Sequence, residues 1–245
     1  MIITSKSNAI IKAVSALSEK KFRKQYGQYI VEGIKPVNEC ISAGCKIDKI
    51  ICTEQTAGVY ESPLIVSESV FKSLSSEKTP QGVLAVVKIE DKPLCEPSGN
   101  CLLLDCLQDP GNLGTVIRTA NAAGYKDIYL VNCTDPYSPK AVRASMSGIF
   151  FVNLYFGTYS EVFEKLRNFP LICADMNGED IFSFTPPKNY CLCIGNEGNG
   201  ISNEVLCRAK YTVRIPMRET CESLNAAVSA GIAMYTLNNN RNNVR

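Results

Sequence analysis

From residue 101 onward the chain alternates short, continuous apolar runs with stretches in which apolar residues recur every three or four positions. The runs CLLLDCL, DIYLV, FFVNLYF, LICAD, CLCIG and YTVRIP predict strands covered on both faces. The periodic stretches at 112–123, around 138–146, and at 159–167, 202–209 and 223–237 predict helices. Strands and helices taking turns in this way imply an α/β domain on a mainly parallel sheet. In the last helix Leu224, Ala227, Val228, Gly231, Ile232 and Tyr235 form the expected buried stripe. Upstream, Ile10, Ile11, Val14, Leu17 and Phe22 make one helical stripe over 7–24, behind a Ser7 or Asn8 cap. A strand QYIVEG, a helix at 34–43, strands KIICT and LIV, a helix SESVFKSL and a strand GVLAVVKI complete a smaller α/β unit. The segment EDKPLCEPSGN, with Pro93, Pro97 and Gly99 and no periodicity, reads as a linker. The expected organisation is a domain over 1–89, a linker over 90–100 and a second domain over 101–245, whose polar tail NNNRNNVR frays.

Composition alters this picture in two places. The net charge is only +2, yet residues 1–24 hold Lys6, Lys12, Lys20, Lys21, Arg23 and Lys24 against the single Glu19. Such a basic end is either a footprint for a phosphate backbone, with Lys20, Lys21, Arg23 and Lys24 as candidate contacts, or a solvated helix face. The chain has twelve cysteines but no CxxC pair and no histidine, so the common zinc spacings cannot be assembled and no metal site is expected. Without histidine, Ser-His-Asp and Cys-His catalysis are excluded. No run approaches membrane-spanning length and the start lacks an apolar leader, so reduced thiols in a cytoplasm are expected.

Three junctions in the second domain place glycine and amide side chains directly after a strand, where open α/β sheets bind ligands. In DPGNLGTVIRTANAAG, Pro110-Gly111 makes a turn, Asn112 opens a helix and Arg118 follows on it. In IGNEGNGIS the glycines run GxxGxG through Gly195, Gly198 and Gly200. That is neither the GxGxxG of a dinucleotide site nor a P-loop, which disfavours a nucleotide-dependent oxidoreductase. In IPMRETCESLNAAVSAG, Pro216 keeps Ile215 extended and Ser223 is placed as the cap of the last helix, with Asn225 in its first turn. Taken singly, each junction is explained by ordinary turns and caps.

Taken in order, the three resemble the motifs of the SpoU (TrmH-type) branch of the SPOUT methyltransferases. They are Asn112–Arg118, Gly195-Asn196-Glu197-Gly198, and Ile215-Pro216-Met217 with Glu222-Ser223-Leu224-Asn225. The N-terminal SNAIIK and YIVEGIKPVNECISAG resemble the L30e-like substrate-binding domain that precedes the catalytic domain in many members. The resemblance implies S-adenosylmethionine-dependent methylation of a ribose 2′-hydroxyl in RNA, with ribosomal RNA favoured over transfer RNA. It also implies a deep trefoil knot and a homodimer. Carried onto these residues, it makes Asn112, Arg118, Glu197, Ser223 and Asn225 catalytic, and Gly195, Asn196, Gly198, Ile215, Met217 and Leu224 cofactor-binding. Arg118 would stabilise a developing alkoxide or grip the adjacent phosphate, because a guanidinium stays protonated. Glu219 stands where many members have glycine, which bears on the shape of the loop before Ser223. The alternative within the same fold is an RNA-binding or assembly factor without catalysis.

Overall fold

The structure, a computed structural model, describes residues 2–242. The chain divides into two compact units. One holds the chain up to Asp91 together with Asp135–Phe150, and the other holds Lys92–Thr134 together with the chain from Phe151. The segment 135–150, which the sequence pattern assigns to the second domain, therefore belongs with the first unit.

The first unit contains α1 (Ala9–Ala16), α2 (Lys20–Tyr26), β1 (Gln28–Glu32), α3 (Ile34–Ser42), β2 (Ile47–Cys52), β3 (Leu64–Ile65), α4 (Glu68–Leu74) and β4 (Val83–Lys88). Its sheet has the order β1-β4-β2-β3, with β4 antiparallel to both neighbours and β3 parallel to β2. The stripe expected as one helix over 7–24 is two helices. Asn8 caps α1 by accepting the Ile10 N–H at 2.9 Å. The break at Leu17–Glu19 frees carbonyls that a continuous helix would consume, and the Arg23 guanidinium takes those of Leu17 and Ser18, each at 2.8 Å. Arg23 also pairs with Asp135 at 2.7 Å, and the Tyr137 ring lies 5.0 Å from that of Tyr29. These contacts fasten the later segment to the unit. The core beneath is apolar: Ile11, Val14, Leu17, Val70, Phe71 and Leu84 are all buried.

The second unit contains β5 (Cys101–Asp105), α5 (Pro110–Ala123) and β6 (Asp127–Val131). The chain then makes α6 (Pro139–Ala144), which belongs to the first unit, and returns with β7 (Asn153–Phe156), α7 (Tyr159–Lys165), β8 (Leu171–Asp180), β9 (Cys191–Ile194), α8 (Asn203–Leu206), β10 (Ala209–Arg214) and α9 (Ala226–Asn242). The six strands run in the order β10-β8-β9-β5-β6-β7, and every neighbouring pair is parallel. The expected α/β class with a mainly parallel sheet is thus what the chain forms. From β5 the strands proceed outward through β6 and β7 on one side, then resume on the other. The loops after β5 and β9 consequently diverge and leave a crevice at the carboxyl edge. At Gly178 in β8 a Cβ would sit 2.5 Å from the Thr212 and Val213 backbone, where the β8–β10 register shifts.

The last helix differs from its sequence reading in two ways. Its buried face is Ala226, Ala227, Ala230, Ala233, Met234 and Leu237, while Val228 and Tyr235 are 50% and 54% exposed. The helix carries two apolar stripes, and the small-residue one packs within the chain: Gly231 lies close to Thr119 of α5. Nor does the tail fray where it is described. Asn238 donates to the Ala123 carbonyl at 2.8 Å, and Asn240 donates to those of Ile181 and Phe184, each at 2.9 Å. Residues 243–245 lie outside the described residues.

Candidate active site

The first loop runs from the end of β5 into α5. Asp109 caps the helix by accepting the Asn112 N–H at 2.8 Å, and Pro110 occupies the first helical position. The helix therefore begins two residues before the expected Asn112. Proline suits that place because its φ is preset and its missing N–H would have had no partner there. Asp105, at the end of β5, is fully buried. Its carboxylate accepts the Tyr159 hydroxyl at 2.6 Å and the Ser202 N–H at 2.7 Å, pinning the segment that follows the second loop.

That second loop turns tightly after β9. Asn196 and Gly200 exchange backbone hydrogen bonds of 2.8 and 3.0 Å. The Asn196 side chain accepts from the N–H groups of Gly198 and Asn199 at 2.9 and 3.0 Å and donates to the Cys106 carbonyl at 2.8 Å. Its polar atoms are thus consumed in shaping the loop. A Cβ at Gly195 would run into the backbone of Gly200, so only glycine closes this turn.

The third loop, from Ile215 to α9, corrects the sequence reading. The cap of α9 is Asn225 and not Ser223: Asn225 Oδ1 accepts the Ala227 and Val228 N–H groups at 3.0 and 3.3 Å. Ser223 lies in the loop before the helix, exposed. Asparagine ranks with serine as a cap, and here its amide has a second use.

That amide links the loops. Asn225 Nδ2 donates to Asn112 Oδ1 at 2.9 Å, and Asn112 Nδ2 donates to Glu197 Oε1 at 3.0 Å. Glu197 also accepts the N–H groups of Gln108 at 3.2 Å and Asp109 at 3.1 Å. One relay therefore joins all three junctions. Burial pushes the Glu197 carboxyl upward, but the hydrogen bonds from Asn112 and the backbone outweigh it and hold the group below the usual carboxylate range. A carboxylate held ionised with its oxygens in use is an anchor and a poor proton acceptor.

Beside the relay lies a cavity of about 430 Å³. Gly195, Asn196, Gly198, Ile215, Met217 and Leu224 all line it, as do Glu197 and Ser223. Arg118 stands apart. It is exposed on α5, about 9 Å beyond Asn112 along the axis and about a third of a turn around it. In the first unit Lys20, Lys21 and Lys24 are exposed. Arg23 is only 4% exposed and is held by Leu17, Ser18 and Asp135, so it is a structural cation and no phosphate contact.

Residues 99–235 match the model of the SpoU rRNA methylase family. The chain belongs to this family. Residues 8–85 match an MRM3-like substrate-binding domain. Among curated relatives, the 23S rRNA (guanosine(2553)-2'-O)-methyltransferase RlmP of Bacillus subtilis is 29% identical, with 96% of this chain and 98% of that protein covered. A 23S rRNA (uridine(2479)-2'-O)-methyltransferase of Streptomyces viridochromogenes is 26% identical over 95% of this chain and 90% of that protein. Among solved structures, an AdoMet-bound rRNA methyltransferase from Sinorhizobium meliloti superposes with a TM-score of 0.89 at 29% identity, covering 98% of this chain and 97% of that one.

All three SpoU motifs of this chain thus join in one relay, and the second and third also line one cavity. Two of the carboxylates that build the SpoU site here, Asp105 and Asp109, were not singled out by the sequence reading. Asp109 had a signal, an acidic residue directly before Pro-Gly at a helix start. Asp105 had a fainter one, a lone charge ending an otherwise apolar strand.

Proposed function

We propose that this chain transfers a methyl group from S-adenosylmethionine to a ribose 2′-hydroxyl of ribosomal RNA. The observation that carries the reading is the Asn225–Asn112–Glu197 relay, which joins the three SpoU motifs beside a cavity lined by the second and third of them. The cavity fits the cofactor in kind. It has the volume of a small-molecule site, a glycine-rich wall that lets a ligand approach the backbone, and apolar sides from Ile215, Met217 and Leu224. Bound there, the cofactor supplies a methyl group already activated by its sulfonium. The chain then has two tasks, to align the ribose and to favour charge on its oxygen. Asn112, Glu197 and Asn225 perform the first by fixing the three loops against each other. Asn196 does the same within the second loop, and Gly198 presents backbone to the cofactor. Ser223, exposed at the rim of the cavity, faces the ribose. Arg118 stabilises the developing alkoxide or holds the adjacent phosphate.

The same reading covers assembly and substrate. Val228, Ile232 and Tyr235 form a second apolar stripe on α9, which supports a homodimer in which Arg118 completes a site at the subunit interface. Lys20, Lys21 and Lys24 meet RNA phosphates, in a cytoplasmic setting. Ribosomal RNA is favoured because the two curated relatives described above are named for 23S rRNA. From β10 at the sheet edge the chain returns to pack α9 against α5 near the sheet centre, passing β9. That path supports the deep trefoil knot, and the mixed sheet of the first unit supports the L30e-like assignment.

The test is methyl transfer from a labelled donor to RNA of a deletion strain, followed by mapping of alkali-resistant 2′-O-methyl positions. Label in ribosomal RNA is expected. Label in transfer RNA alone would reassign the substrate, and the absence of any transfer, with RNA binding intact, would favour a non-catalytic assembly factor.

A further inference from the structure

The first unit holds a second cavity, of about 380 Å³, that no part of the methyl transfer uses. We propose that it receives an unpaired, amino-bearing nucleobase of the substrate RNA, so that the first unit reads sequence as well as holding phosphate. The proposal rests on RNA being the substrate. A ribose 2′-hydroxyl is the same in every nucleotide, so a site built around it cannot by itself choose one position. Base identity must be read elsewhere, and single-stranded RNA is read by splayed bases that stack and hydrogen-bond in pockets.

The cavity suits that occupant. Its walls come from Ile30, Leu74, Val142 and Phe150, an apolar setting with one aromatic ring for stacking. Around them stand three carboxylates, Glu32, Glu39 and Glu77, against the two cations Lys35 and Arg143. That balance disfavours a phosphate and favours a neutral ring rich in N–H donors. Guanine presents two such hydrogens side by side on one edge, from its ring N–H and its amino group, whereas uracil offers one between two carbonyl oxygens that a carboxylate would repel. The acidic groups are also fixed. Glu32 accepts the Ser76 N–H at 3.0 Å and the Ser75 hydroxyl. Arg143 pairs with Glu77 at 2.7 Å and donates to Ser76 Oγ at 2.8 Å. At the same cavity, Met146 and Ser147 are consecutive non-glycine residues with φ of 44° and 66°. Backbone in this region is disfavoured for L-residues and clusters at ligand sites. Here it leaves the Met146 side chain, 55% exposed, beside the cavity, where a thioether packs well against a planar ring.

The chain has no tryptophan, so one introduced at the cavity is a sole reporter. Phe150→Trp replaces ring with ring. Ser73→Trp, at an exposed position on α4 that also lines the cavity, serves as a second reporter whose folding does not depend on the first. Each full-length variant is titrated with guanosine monophosphate, uridine monophosphate and ribose 5-phosphate while its fluorescence is followed. Saturable quenching by guanosine monophosphate is expected, with uridine monophosphate roughly tenfold weaker and ribose 5-phosphate without effect. Adding Glu32→Gln should narrow the gap between the two nucleotides. Absence of saturable quenching in both reporters, equal binding of the two nucleotides, or quenching by ribose 5-phosphate overturns the proposal. The titration needs neither methyl donor nor turnover. Loss of quenching with methyl transfer intact therefore refutes the base pocket alone, and the reverse result refutes the methyl-transfer reading alone.

Discussion

At the scale of single residues, the proposed mechanism separates groups that hold, Asn112, Glu197 and Asn225, from Arg118, which is proposed to act. Glu197 accepts from Asn112, Gln108 and Asp109, and its carboxyl lies below the ordinary range. A carboxyl depressed by folding adds stability that is present above its unfolded value of about 4.3 and is lost as pH falls through the lower folded value. Glu197→Gln should therefore lower Tm at neutral pH, by an amount that solvent screening of this exposed carboxylate keeps small. The gap from the unsubstituted protein should stay constant between about pH 6 and 8 and shrink in acid, as calorimetry across pH would register. The shape of the pH–rate profile in the neutral range should not change, because Glu197 is ionised throughout and the chain has no imidazole to titrate there. Arg118→Ala should behave differently. Loss of one electrostatic stabiliser costs about a hundredfold or more in rate, while calorimetry should find adenosylmethionine affinity unchanged. If affinity fell in step with rate, Arg118 would be a cofactor residue and the division of labour argued here would fail.

At the scale of elements, the strands and most helices were legible because fully covered strands must be continuous apolar runs and amphipathic helices must repeat. The boundaries that escaped did so for physical reasons. The stripe from Ile10 to Phe22 continues through a break that only the Arg23 guanidinium, reaching carbonyls out of the helix, reveals. In α9 two apolar stripes coexist, so periodicity alone could not say which faces inward. Before α9, Ser223 and Asn225 are both good caps, and the choice falls on Asn225 because its amide also meets Asn112. That choice is testable. Asn225→Ala should destabilise by about 1 kcal/mol from the cap alone and also lower methyl transfer by loosening the first loop. Asn225→Ser should recover the stability and leave the rate low, since serine caps but cannot span to Asn112. A serine variant with full activity would show the link to be incidental.

At the scale of the molecule, assembly and substrate binding each have an exposed surface to answer for. Val228→Asp, placed in the exposed stripe of α9, should yield a monomer in sedimentation with the unfolding temperature of the chain little changed; a dimer of undiminished affinity would discard that stripe as the interface. Neutralising Lys20, Lys21 and Lys24 should reduce the salt slope of RNA binding by about 2, at roughly 0.7 per lost contact on a single strand. Arg23→Gln should leave that slope alone and instead cost about 3 kcal/mol, since Asp135 would keep a largely buried charge without its counterion. Arg23 and Asp135 also bear on how the chain is made. The first unit is spliced from two stretches separated by the 43 residues Lys92–Thr134. At roughly 5–20 residues per second on the ribosome, several seconds pass between emergence of its first part and arrival of the segment that finishes it. During that interval the cationic end of Arg23 and one face of Tyr29 await their cover. A nascent chain paused at Asp91, or a fragment cut there for expression, is thus an incomplete domain whatever the sequence pattern suggests.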